Sequence, residues 1–101
     1  MKGNPKIGSY TGTGAAINVE LGFVPLFLIV FNRTDGDLVG LWTPGLGAGK
    51  AVDIAAAAAA NAANGFTAYA GAAGTASVGF TAGTDYSTNA KVYDYIAFGD
   101  E

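Results

Sequence analysis

The stretch Tyr10–Phe31, YTGTGAAINVELGFVPLFLIVF, sets the strongest limit on what this chain can fold into. Thr11-Gly12-Thr13-Gly14 predicts a turn, because glycine adopts positive φ without steric cost. Ala15–Leu21 alternates, with Ala15, Ile17, Val19 and Leu21 on one face and Asn18 and Glu20 on the other. That is the pattern of a half-buried strand. Gly22-Phe23-Val24-Pro25 makes a corner, and Pro25, which has no N–H for a ladder, belongs at a strand start. Leu26–Phe31 is apolar on both faces, which predicts a central strand covered twice, as in a sandwich.

The rest of the chain repeats this grammar. Met1–Pro5 reads as an arm, residues 6–99 as a single domain, and residues 100–101 as a tail. Lys6–Gly12 reads as a short strand. Asn32–Asp37 is a turn, and Leu38–Trp42 closes a hairpin with the strand before it. Thr43–Lys50 is a glycine-rich loop. Phe66–Ala70 and Thr75–Ala82 read as strands around a turn at Gly71–Gly74, with Gly79 as a candidate bulge. Gly83–Ala90 reads as a polar loop. Lys91–Phe98 is the last strand, with Val92, Asp94, Ile96 and Phe98 on one face and Tyr93, Tyr95 and Ala97 on the other. Asp94 is the odd residue on its face and calls for a turn N–H or Lys91 as partner. Ala51–Ala63 is ambiguous. Local propensity favours a short helix from Ile54 to Ala63, N-capped by Asp53 and stopped by Gly65, whereas the all-β context favours an extended crossover. Turn signals every 8 to 12 residues or so predict an all-β domain. Its form is an antiparallel β-sandwich or a jelly-roll-like barrel of about seven short strands, with or without the Ala-rich helix.

Composition then narrows the chemistry. The chain has no Cys and no His, so disulfides, thiolate metal sites and imidazole catalysis are excluded. Charged residues make up 13% of the chain, against about 25% in an ordinary domain. Ala and Gly fill the deficit, which suits a surface meant to be covered by neighbours. A net charge of −3 with scattered basic residues argues against nucleic acid as a partner. Leu21–Phe31 contains Pro25 and falls well short of the ~20 apolar residues of a membrane span. MKGNPKIG lacks the apolar core of a signal peptide, so synthesis in a cytoplasm is expected.

No motif carries a cofactor or a reaction. Gly45–Lys50 imitates a phosphate loop, but Ala51 stands where Ser or Thr is required and Thr43-Pro44 opens the loop in place of the first glycine. Asp35-Gly36-Asp37 lacks the further oxygen ligands of a calcium loop and reads as a hairpin turn. The serines have no histidine to activate them. No catalytic, cofactor or metal residue is therefore expected. The residues expected at an interface are Lys2, Asn4, Pro5 and Lys6 at the arm, with Trp42, Tyr93 and Tyr95 as aromatic candidates. Trp42 reads first as a plug of the core or core edge and second as an interface residue, and the two tyrosines could equally pack an outer sheet face.

Tyr10-Thr11-Gly12-x-Gly14, Ile17 and Leu21-Gly22-Phe23-x-Pro25-x-Phe27-x-Ile29-Val30 together resemble a pattern in small all-β virion proteins of tailed bacteriophages. Gly79-Phe80-Thr81-Ala82-Gly83 and Asn89-Ala90 followed by Tyr93-x-Tyr95-Ile96-Ala97-Phe98 extend the resemblance. Thr13 stands where Asn is usual in that pattern, and Thr43–Gly74 lies outside it. The resemblance implies a non-enzymatic capsid decoration (cement) protein. Such a protein would be a homotrimer that clamps capsomers of the major capsid protein on the virion surface, with no cofactor. A tail-fibre or tail-tip module that binds a receptor or carbohydrate is the alternative it implies.

Overall fold

The computed structural model describes residues 5–36, 38–54, 58–69 and 78–99. Among them, eight strands form one nearly closed, barrel-like sheet in which every neighbouring pair is antiparallel. In chain order they are β1 (Lys6–Thr11), β2 (Ile17–Glu20), β3 (Phe27–Asn32), β4 (Val39–Trp42), β5 (Lys50–Ile54), β6 (Ala58–Tyr69), β7 (Gly79–Ala82) and β8 (Val92–Phe98). Around the sheet they run β1-β8-β3-β4-β5-β6-β7-β2. The expected all-β antiparallel class therefore holds, in its barrel form.

The corner before β3 works as its residues require. Gly22 takes φ +89°, Phe23 and Pro25 are buried, and the Leu26 amide donates to the Phe98 carbonyl at 2.7 Å. β3 then lies between β8 and β4. The loop after β1 is stitched to the segment before β8, where the Gly12 amide donates to Lys91 O (2.8 Å) and the Ala90 amide donates back to Gly12 O (3.0 Å).

Two sequence expectations are corrected. The Ala-rich segment is not a helix from Ile54 to Ala63. Ile54 ends β5, and Ala58 onward is β6, with Asp53 inside β5 rather than at an N-cap. An alanine helix without ion pairs has only propensity to hold it, and that is marginal in water. As strands, β5 and the start of β6 gain ladder bonds to each other, and β5 gains more to β4 on its other side. The register shifts between Lys50, opposite Phe66, and Ala51, opposite Asn61. Gly65 sits at this shift, where a Cβ would come within 2.5 Å of the Lys50 carbonyl oxygen. The first part of β6 thus pairs with β5 and its last part with β7. The turn expected at Gly71–Gly74 lies outside the described residues, as does the start of the strand expected at Thr75.

The second correction concerns faces. β3 is not covered twice, because a single sheet curled on itself has only one interior. Leu28 and Val30 are buried there, while Phe27, Ile29 and Phe31 face out. In β8 the tyrosines are the inner residues: Tyr93, Tyr95 and Ala97 are buried, and Val92, Asp94, Ile96 and Phe98 form the outer side.

The interior is a continuous set of rings. Tyr10 stacks on Tyr93 at 5.3 Å between centroids, Phe80 meets Phe66 edge to face at 5.9 Å, and Phe66 lies 4.4 Å from Tyr86. Tyr86 comes from the short 3-10 turn Thr84–Tyr86, in the segment read as a polar loop, and is fully buried. Its hydroxyl donates to Asp53 Oδ1, and its carbonyl accepts the Tyr10 hydroxyl at 2.8 Å. Among the described residues, every buried side-chain polar atom has a hydrogen-bond partner.

This packing makes alkaline stability predictable. Burial pushes the Tyr10 phenol far above its ordinary value, with Tyr93 adding to the shift. Burial does the same at Tyr86, helped by the hydrogen bond to Asp53 and the nearby carboxylate charge. Unfolded tyrosines release their protons near pH 10. The folded chain keeps them, so stability is full below about pH 10 and falls as pH rises further. The expected loss approaches about 1.4 kcal/mol per pH unit for each phenol held protonated. Thermal melts from about pH 8 to about pH 12, with tyrosinate absorbance followed in parallel, measure it. A melting temperature that stays level across that range contradicts the burial of these phenols.

Candidate interaction surface

The described outside of the barrel has two different sides. Around β2 and β7 it is polar: Asn18, Thr81 and Thr67 form one transverse row, with Thr81 Oγ1 donating to Asn18 Oδ1 at 2.7 Å. Across β1, β8, β3, β4 and β5 it is apolar. The register aligns Ile7, Ile96, Ile29, Leu41 and Val52 in a single row over five strands. Beside it runs Ser9, Asp94, Phe31, Val39 and Ile54, and Phe27 and Phe98 pair on the other flank with ring centroids 6.0 Å apart. Ile7 is 70% exposed, Leu26 50% and Ile54 40%. The other apolar members of the two rows are half-buried.

At the β1 end this face dips into a depression of about 350 Å³, lined in part by Ile7, Ser9, Phe31, Arg33, Asp94 and Ile96. Arg33 Nε contacts Asp94 Oδ1 at 3.1 Å. Lys91, one of the two partners expected for Asp94, pairs instead with Asp35 at 3.2 Å. Asp35 is held in the hairpin turn by Asn32, whose side-chain amide donates to Asp35 Oδ2 (3.2 Å) and accepts the Asp35 amide (3.0 Å). Asp37 lies outside the described residues.

The expected interface residues divide. Lys2 and Asn4 lie outside the described residues. Pro5 and Lys6 are exposed at the start of β1. Trp42 is a core residue, 2% exposed, with Nε1 donating to Gly47 O at 3.0 Å. Tyr93 and Tyr95 are core residues too, and the Tyr93 hydroxyl accepts the Thr88 amide at 3.1 Å. None of these three aromatics offers a surface to a partner. Their outward neighbours on β8, Ile96 and Phe98, do.

Two amides of the glycine-rich loop are taken up within the chain. The Gly49 amide is engaged by Phe66 O at 2.9 Å and Thr67 Oγ1 at 3.0 Å, and the Gly47 amide by Pro44 O at 3.1 Å. Among the described residues, no three acidic, His or Cys side chains group as a metal site. No helix among them is long and apolar enough to cross a membrane.

Fold and surface define a small antiparallel β-barrel with a solid aromatic interior and a lopsided, one-sided apolar exterior. No protein-family model matches the chain, and no curated protein or solved structure matches it either.

Proposed function

We propose that this chain is a non-enzymatic structural protein of a tailed-bacteriophage particle, a capsid decoration protein that sits on the outside of the head against the major capsid protein. The observation that carries the assembly part of this reading is the apolar outer face over β1, β8, β3, β4 and β5. Aligned Ile, Leu, Val and Phe side chains that no described element covers gain by being packed against another protein. The phage part is supported by the turn, corner and closing-strand motifs of the sequence. A carbohydrate-binding tail module draws less support, since Trp42, Tyr93 and Tyr95 face inward.

The test is the copy number of the chain in purified particles, together with binding to heads that lack it. Near-stoichiometric copies relative to capsid subunits, and heads made more resistant to heat, are expected. Leu41→Asp, on the outer face of β4, is expected to weaken head binding by roughly tenfold or more while the barrel stays folded. A handful of copies per particle points to the tail instead, and absence from particles refutes the phage reading.

A further inference from the structure

We propose that the β1 corner of the apolar face is a self-association site, in which two copies pack about a two-fold axis. Each Ile7 would enter the other copy's depression, and each Arg33 would meet the other copy's Asp94. The inference rests on the assembly reading of the outer face and names the occupant of one part of it.

Three features of this corner complement themselves. Ile7 is the most exposed large apolar side chain among the described residues and lines part of the 350 Å³ depression. A knob beside a hole is self-complementary under a two-fold rotation, because each copy supplies what the other lacks. The second feature is charge. Among the described residues that line the depression, one is a cation and one an anion, Arg33 and Asp94, which remain 56% and 28% exposed despite their contact. A guanidinium has five N–H donors, and the Nε contact engages one of them. A second copy turned by a two-fold axis brings its carboxylate to this guanidinium and its guanidinium to this carboxylate. A partner of single-signed charge would satisfy one member of the pair and repel the other.

The third feature is the strand edge itself. Among the described residues β1 pairs with β8 and with no strand on its other side. Its six residues contain no proline and no bulge, and Lys6 at its first position is the one protection of the edge that it carries. Covering this corner with a copy shields that edge. The contact leaves Leu41, Val52 and Ile54 on β4 and β5 free for the particle. It also makes the copies a pair, in place of the trimer implied by the family resemblance.

The rows at this corner cover only a few strand spacings of about 4.8 Å each. The interface therefore belongs with the small, reversible ones rather than with obligate dimers. The experiment is sedimentation equilibrium of the whole chain up to about 1 mM, combined with a charge-swap pair. Wild type is expected to dimerise reversibly. Arg33→Asp and Asp94→Arg are each expected to be monomeric alone, since each places like charges across the axis. Mixed together they are expected to dimerise at least as well as wild type, because every cross-pair is then opposite in sign. A role confined to one copy predicts no rescue on mixing. Should either swap fail to fold by circular dichroism, Ile7→Asp, at an exposed edge position, replaces it and is expected to abolish the dimer. A wild type that stays monomeric over the whole range, a trimer, or folded swaps that ignore each other would each overturn the proposal. Head binding by a monomeric chain would sink this inference and spare the proposed function. A dimer that ignores heads would do the reverse.

Discussion

Replacing Tyr86 with alanine is expected to remove a large share of the barrel's stability. The ring is fully buried, lies 4.4 Å from Phe66, and carries a hydroxyl that donates to Asp53. Truncating a buried aromatic to alanine costs about 3–5 kcal/mol. Leaving Asp53 without its buried donor adds about 1–3 kcal/mol. A domain of this size has about 5–15 kcal/mol in total. In urea unfolding followed by Trp42 fluorescence, Tyr86→Ala should therefore lower the midpoint by roughly half or more. Tyr86→Phe keeps the ring and loses only the hydroxyl, so its cost should be about 1–3 kcal/mol. Equal midpoints for the two variants would mean that the ring does not fill the barrel.

The complementary experiment fills the space that Tyr86 occupies. A Cβ built on Gly40 would come within 2.4 Å of the Tyr86 ring and hydroxyl. Real Cβ atoms do not approach that closely, so one of the two must move. The ring has little room to retreat, with Phe66 beside it and Asp53 at its hydroxyl. Gly40→Val should therefore cost about 3 kcal/mol or more, at the upper end of what overpacking a core costs. The pairing also predicts non-additivity. Gly40→Ala in the Tyr86→Ala background should cost about 1–3 kcal/mol less than in wild type, because the alanine then enters vacated space. Strictly additive denaturation midpoints would show that the two residues do not compete for one volume.

Much of the fold could be read from the chain because its signals were local. The Gly22–Pro25 corner, the alternation of Ile17 and Val19 against Asn18 and Glu20, and the hairpin between Phe31 and Val39 each need only a few residues. Other features depended on distant partners. In β8 both alternating sets are largely apolar, so periodicity could not choose between them, and Asp94 was the sole guide. Its ion pair with the exposed Arg33 keeps Asp94 on the wet side, which puts the tyrosines within. The Ala-rich segment misled because alanine's propensity is helical, while what holds it extended is the pairing of β5 with the start of β6 and of β5 with β4, which a propensity scale does not see. Tyr86 gave no signal at all, since TDYS has no period and the ring is buried by strands far away in sequence.

The candidate surface was half legible. That Leu26–Phe31 is apolar on both sides is plain from the sequence, and it reads there as a strand covered twice by the chain's own sheets. Nothing local distinguishes a strand covered by its own protein from one covered by another. The Ile7–Ile96–Ile29–Leu41–Val52 row exists only once five strands are in register.

The position of β3 between β4 and β8 has a consequence for the nascent chain. β4 follows β3 at once, but β8 begins at Val92, some sixty residues after β3 ends at Asn32. At ribosomal speeds of about 5–20 residues per second, that interval lasts several seconds. For all that time the most apolar strand of the protein has one bare edge. Folding must wait for translation to deliver β8, and pairings between segments so far apart in sequence form slowly. The vulnerable interval is thus before the barrel exists, when holdase chaperones or a slow temperature of expression would decide the yield.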